Sequence, residues 1–449
     1  MKSKISLETE NSSRNIRLIN RVLLITACFM PLGFFPFPGI DIFDAVKGPL
    51  ITISTLLLAI LIVRDKKFDK SLVIILLIAY LIIVLTASIF AINPLLAFIG
   101  AIPKYGRYEG FITILSYAIL FYSSKNYLII TKKKIHYFLI SLIIIGLYAF
   151  IQHFQYDPLV IYMKYPRLVF STIGNQNFLA SLMVMTIPIP CGLFFMSDNK
   201  KDNVFYLFTV FILFGTLIAS FTRSAWLAFI IIYIISFFIV LKYKISILKF
   251  LIITLVFCSS IGFLNLNLKF NPKINHSKVN SKSLYKRSVS IKKEFDLSNE
   301  YAGSGRYKIW NITGKVIKKH PILGVGPENL KPCLKTEFKK DHDDYKKIKG
   351  NNIDKAHNEY LHVAAVNGIP ALLLLLSIYY LSFLQLYKNR NNDINKLLFI
   401  IILGYLGQAF FNISVIAVAP VFWIILGYSF KKRKIFHLKT ISSSPSNDA

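Results

Sequence analysis

The chain has 449 residues, 55% of them hydrophobic and only 17% charged, against roughly 25% charged in soluble domains. That composition excludes an ordinary soluble enzyme and points to an all-α, polytopic membrane protein with no separate soluble domain. The formal net charge of +31 suits a bilayer with anionic headgroups, and no segment resembles a base-reading or stacking module, so nucleic acid is excluded as a partner.

About twelve apolar runs approach the ~20 residues that cross a bilayer core. They fall near 22–37, 48–63, 71–92, 110–122, 136–152, 175–196, 204–220, 225–241, 250–264, 370–387, 397–412 and 414–430. The stretch 95–102, ahead of the short fourth run, reads as a re-entrant dip. The runs divide the chain into an N-terminal bundle over 1–264 with about nine helices, a long polar loop over 265–369, C-terminal helices over 370–430 and a basic tail over 431–449. A charged stretch precedes the first run and no small-residue cleavage site follows it, so a retained helix is expected. Cys28, Cys191, Cys258 and Cys333 show neither a disulfide framework nor a zinc-ligand spacing.

Charge sets the expected orientation. With the N-terminus inside, the short inner segments hold 26 Lys and Arg and the short outer segments hold six, namely Lys47, Lys104, Arg107, Lys164, Arg167 and Arg223. This asymmetry predicts cytoplasmic termini, an even helix number and an external 265–369 loop. Between 265 and 356 that loop carries 21 Lys and Arg against nine Asp and Glu, but long loops are exempt from the charge rule.

Within the loop, Gly303-Ser304-Gly305 makes a turn with Arg306 at its exit. Tyr307, Ile309, Trp310, Ile312, Val316 and Ile317 then recur at helical spacing, which predicts an amphipathic helix lying on the membrane. His320-Pro321 and Gly324-Val325-Gly326-Pro327 end it. A glycine turn at a helix start presents N–H groups to an anion, although the Gly-Lys-Ser/Thr ending of a nucleotide loop is missing. Further on, Asp354 is the expected cap of a short helix over 356–366 that Gly368 ends, with Pro370 opening the next span. His357 would sit on that helix at the membrane boundary. His357 and His362 are five apart without a metalloprotease Glu, so no metal is expected.

Arg223 stands between two apolar runs in Thr222-Arg223-Ser224-Ala225-Trp226. An arginine near headgroup level is costly unless paired, and its planar fork fits a phosphate. Arg107 and Arg167 are secondary candidates of the same kind.

Together, Thr-Arg-Ser-Ala-Trp-Leu at 222–227, Ser-Gly-Arg-Tyr-Lys-Ile-Trp at 304–310, His-Pro-Ile-Leu-Gly-Val-Gly-Pro at 320–327 and His-Asn-Glu-Tyr-Leu at 357–361 resemble the O-antigen ligase and polymerase family. Asn175-Gln176-Asn177-Phe178-Leu179-Ala180 resembles another of its segments. The resemblance implies a bacterial cytoplasmic-membrane glycosyltransferase of the GT-C type, independent of metal and cofactor. Its donor would be an undecaprenyl-diphosphate-linked glycan, and its acceptor a hydroxyl of a glycan, lipid or protein on the outer face.

The residues suit that chemistry. Arg223 and Arg306 can neutralise the departing diphosphate by bidentate hydrogen bonds, and His357, which titrates near neutrality, can take the acceptor proton. Direct displacement would invert the anomeric centre. Asn358 and Tyr360 are possible secondary site residues. The alternative is a transporter or flippase of lipid-linked sugars, disfavoured by the lack of a clear internal repeat and by the large one-sided loop.

Overall fold

The computed structural model describes residues 2–35, 43–65, 68–101, 108–157, 169–266, 305–350 and 352–431. Among them there is no strand, and nine helical segments are long and apolar enough to cross a membrane. The first six helices are α1 (Lys2–Leu32), α2 (Lys47–Asp65), α3 (Leu72–Ile89), α4 (Pro94–Ile99), α5 (Phe111–Tyr127) and α6 (Lys132–His153). After a 3-10 turn at Ser171–Ile173 come α7 (Gln176–Thr186), α8 (Pro188–Met196), α9 (Lys200–Ala219), α10 (Arg223–Lys242) and α11 (Ile247–Leu264). The remainder comprises α12 (Arg306–Lys319), α13 (Leu330–Thr336), α14 (Lys339–Lys349), α15 (Glu359–Lys388), α16 (Asp393–Ala409) and α17 (Ala419–Ser429).

Nine of the twelve expected runs form helical segments of at least 18 residues that are apolar enough to cross a membrane. At about 1.5 Å per residue a helix needs some 20 residues to cover the core. The fourth, eleventh and twelfth runs form α5, α16 and α17, with 17, 17 and 11 residues. The stretch read as a re-entrant dip contains the six-residue α4, capped by Asn93, whose Oδ1 accepts from Leu96 N at 3.1 Å.

The lysine-rich turns gather at one end of the bundle. Lys125 pairs with Asp69, and Lys132 with Asp202. Lys249 donates to the Ser197 carbonyl at 2.8 Å, Lys431 to the Leu128 carbonyl at 2.6 Å, and Lys396 lies 4.1 Å from the centre of the Tyr243 ring. These contacts join the turns after α2, α5, α8, α10, α15 and α17. Lys47 is one of the six basic residues assigned to the short outer segments. It is fully buried, and its Nζ donates to the carbonyls of Phe43 (2.8 Å) and Thr172 (3.1 Å).

The polar loop contributes a small domain-like cap. The apolar face of α12 does not lie against lipid as expected. Ile309, Ile312 and Val316 are buried with Leu330, Cys333 and Leu334 of α13, Tyr345 of α14, and Ala365 and Val366 of α15. Periodicity shows that a face is apolar, not which apolar partner covers it. Residues 267–304, with Gly303 and Ser304, lie outside the described residues, as do Arg107 and Arg167.

A kink in α15 positions the site. Gly368 breaks the helix at φ 86° and ψ 164°, and Pro370 has no N–H to give, so the carbonyls of Ala365 and Val366 lose their helical donors. The 321–327 segment replaces them. Val325 N donates to Ala365 O at 3.0 Å and Gly326 N to Val366 O at 2.7 Å, while Ile369 N donates to Pro321 O at 2.8 Å. The approach is so close that a Cβ on Gly368 would lie 1.9 Å from Ile322 O. The His-Pro-Ile-Leu-Gly-Val-Gly-Pro motif is therefore a strap across the kink.

Candidate functional site

Both candidate arginines occupy the first position of a helix. Arg223 opens α10 after Thr222, and Arg306 opens α12 after Gly305, which takes the left-handed φ of 88° that glycine adopts without strain. A cation at a helix N-terminus adds to the positive end of the macrodipole, an unfavourable placement of roughly 0.3–1 kcal/mol on stability grounds. The same placement joins a guanidinium to a turn of unsatisfied N–H groups, which favours an anion.

His357 precedes a third helix start. The cap of α15 is Asn358, not Asp354: its Oδ1 accepts from Leu361 N at 3.0 Å, and the helix begins at Glu359. His357 itself is half-buried and left-handed at φ 49°. Phe221, at φ 52°, and Glu328, at φ 60°, are two further non-glycine residues in this region with positive φ. Such conformations cost about 1–3 kcal/mol and concentrate at functional sites.

Hydrogen bonds and one ring contact tie the three helix starts to the end of α16 and the residues just beyond it. The Tyr360 hydroxyl donates to Leu406 O at 2.8 Å, tying the start of α15 to the last turn of α16. Trp310 of α12 packs edge-on against Phe410, the C-cap of α16, at 5.6 Å between ring centroids. Just beyond, the buried Asn412 donates to Asn177 O at 3.1 Å and to Ser181 Oγ at 2.9 Å. The Thr222 hydroxyl reaches the same segment, donating to Gln176 O at 3.2 Å. The helices carrying Arg223, Arg306 and His357 thus share one anchor, opposite the lysine-rich end.

A buried charge cluster fixes the approach to His357. Lys355 is 3% exposed, and its ammonium pairs with Glu328 and, at 3.2 Å, with Glu109. Ile353 and Ala356 are buried on either side. Asn329 Oδ1 accepts from Asn93 N at 2.8 Å, and its Nδ2 donates to Asn93 O at 3.2 Å, which pins the strap to the turn after α3.

Asn358 and Tyr360, read from the sequence as secondary site residues, have their polar atoms engaged by Leu361 N and Leu406 O. The residues that sequence reasoning missed are Lys355, Glu109, Glu328, Glu359, Asn177 and Asn412. Isolated charges beside apolar runs were the available signal for the first four. Asn177 was marked only as part of the Asn-Gln-Asn-Phe-Leu-Ala segment, and nothing local marked Asn412.

Among the described residues, one group has metal-ligand character: the ligand atoms of His320, Cys333 and Glu337 lie within 4.8 Å of one another. The group is satisfied without an ion. Burial alone would raise the Glu337 carboxyl, but hydrogen bonds from Lys319 and His320, both at 2.8 Å, hold it below its usual value. Burial, aided by Glu337, pushes the Cys333 thiol up to about 12.

Residues 208–376 match the family model described as O-antigen ligase. Over this segment the chain is similar to the O-antigen ligase family. The matched segment contains Arg223, Arg306, the strap and His357, whereas Glu109, Asn177 and Asn412 lie outside it. No curated protein matches the chain. With nine helical segments long and apolar enough to cross a membrane among the described residues, the chain has the build of a multi-pass membrane protein.

Proposed function

We propose that this protein transfers a glycan from an undecaprenyl-diphosphate carrier to an acceptor hydroxyl at the outer face of the cytoplasmic membrane, with both termini cytoplasmic. The observation that carries the reading is the common anchor of three helix starts on α16, which supports one site assembled from Arg223, Arg306 and His357. The charge asymmetry of the turns supports the outward orientation.

The leaving diphosphate develops charge as the glycosidic bond breaks. Arg223 and Arg306, each backed by helix N–H groups, stabilise it there without a metal. The acceptor oxygen attacks the anomeric carbon from the opposite side while His357 takes its proton, so the anomeric configuration inverts. The left-handed backbone at His357 and the buried Lys355 pairs keep the imidazole in place.

The test is turnover by the purified protein of a synthetic undecaprenyl-diphosphate glycan in the presence of candidate acceptors. The expected products are free undecaprenyl diphosphate and a glycosylated acceptor of opposite anomeric configuration. Movement of intact donor across proteoliposomes without glycan transfer would overturn the reading in favour of a transporter.

A further inference from the structure

A second polar feature lies beneath the start of α15, a cavity of about 70 Å³ between α3, α5, α15 and α17. Its polar lining includes Glu359, Asn367, Tyr117, Glu109, Glu328 and His362. Glu359 Oε2, Asn367 Oδ1 and Tyr117 OH are buried there without a hydrogen-bond partner. Glu359 is 8% exposed, Asn367 2% and Tyr117 5%. An unsatisfied buried polar atom costs about 1–3 kcal/mol, so three around one cavity mean that the cavity has a polar occupant.

Size and charge narrow the occupant. The volume is less than half of the ~150 Å³ that holds a benzene ring, so a sugar does not fit, but an ion with a water or two does. The carboxylates exclude an anion. The three unengaged atoms are all oxygens, which suit a hard cation. Glu109 and Glu328 are both engaged by Lys355, whereas Glu359 forms no ion pair among the described residues, so the cavity offers one carboxyl group that no ammonium engages. We infer that this cavity binds a monovalent alkali cation, held by Glu359 Oε2, Asn367 Oδ1 and Tyr117 OH.

The ion joins α5 to both ends of the short first section of α15, Glu359 in its first turn and Asn367 just before the kink. Its role is to hold the helix start that presents His357, at a distance from the reacting diphosphate.

Thermal melting of the purified full-length protein in detergent tests the site without relying on turnover, so its outcome is independent of the transferase reading. Sodium chloride or potassium chloride is titrated against choline chloride at constant ionic strength. The melting temperature is expected to rise by about 1–3 °C per tenfold increase in the bound alkali ion above its Kd, and choline should have no effect. The steeper of the sodium and potassium series identifies the ion. Asn367→Ala and Tyr117→Phe should melt cooperatively with that dependence lost, and they decide the matter if Glu359→Gln does not fold. Equal melting in all three salts, or an unchanged alkali dependence in Asn367→Ala and Tyr117→Phe, would overturn the site and leave water or a proton as the occupant.

Discussion

Trp310 meets Phe410 edge to face, with ring planes 77° apart, and through this contact the helix that begins at Arg306 rests on the end of α16. Asn412, two residues beyond Phe410, holds Asn177 and so the neighbourhood of Thr222. Arg306 and Arg223 are therefore placed by contacts on one short stretch, although 82 residues separate them (306 − 223 − 1).

Loss of the proposed base is best tested with a residue that tolerates a left-handed backbone. His357→Asn keeps that conformation and removes the titrating nitrogen, whereas Ala adds backbone strain. His357→Asn should lower glycan transfer by about 10²- to 10⁴-fold with donor binding retained. His136→Gln, at the lysine-rich end, is the control. Native turnover in His357→Asn would remove the assignment. His362 cannot serve as the control because it lines the cavity under α15.

Replacing either arginine by lysine keeps a positive charge but removes the planar fork. Arg223→Lys and Arg306→Lys should each reduce turnover by about 10²-fold or more while the protein remains monodisperse in detergent. Turnover of lipid-linked donor at the native rate by both variants would rule out bidentate diphosphate binding.

The strap makes Gly368 intolerant of any side chain. Gly368→Ala should destabilise the fold by about 2–4 kcal/mol, because its Cβ would meet the Ile322 carbonyl at 1.9 Å in a left-handed backbone. Differential melting reads this directly. A shift within error of the wild type would show that the kink relaxes.

Lys355→Met leaves two partly buried carboxylates without their ammonium, a loss of up to about 3 kcal/mol. Adding Glu328→Gln should restore part of the melting temperature. No recovery in the double variant would mean that Lys355 acts through packing alone.

Orientation is open to labelling in intact cells with a cysteine-free background. Thr336 and Lys201 are both exposed, one in the 305–350 cap and the other at the lysine-rich end. A cysteine at 336 should react with an impermeant maleimide, and one at 201 should not. The reverse pattern would place the site on the cytoplasmic side and defeat the proposed function.

The sequence displayed the helix starts more clearly than their assembly. Gly305 before Arg306, and Gly368 with Pro370, are local signals of backbone geometry, and each marks a break in the structure. The partner of an apolar face is not local, so α12 read as membrane-bound when its face lies in a protein core. The Lys355–Glu109 pair spans 246 positions and the Asn412–Asn177 bond 235, distances across which no periodicity carries information. Asp354 and Asn358 are both competent caps by type, and the buried Lys355 and Ala356 between them decide for the second.

The strap also constrains how the matched segment can be recombined with its relatives. Donors at 325 and 326 and acceptors at 365 and 366 form one complementary set, with the glycines at 324, 326 and 368 clearing the space between them. A chimaera whose junction falls between residues 327 and 365 pairs the donors of one parent with the acceptors of the other. Where the parents differ in glycine spacing, two carbonyls meet no donor, and the hybrid fails for a reason that neither parental half reveals. Junctions before 320 or after 370 keep the set whole.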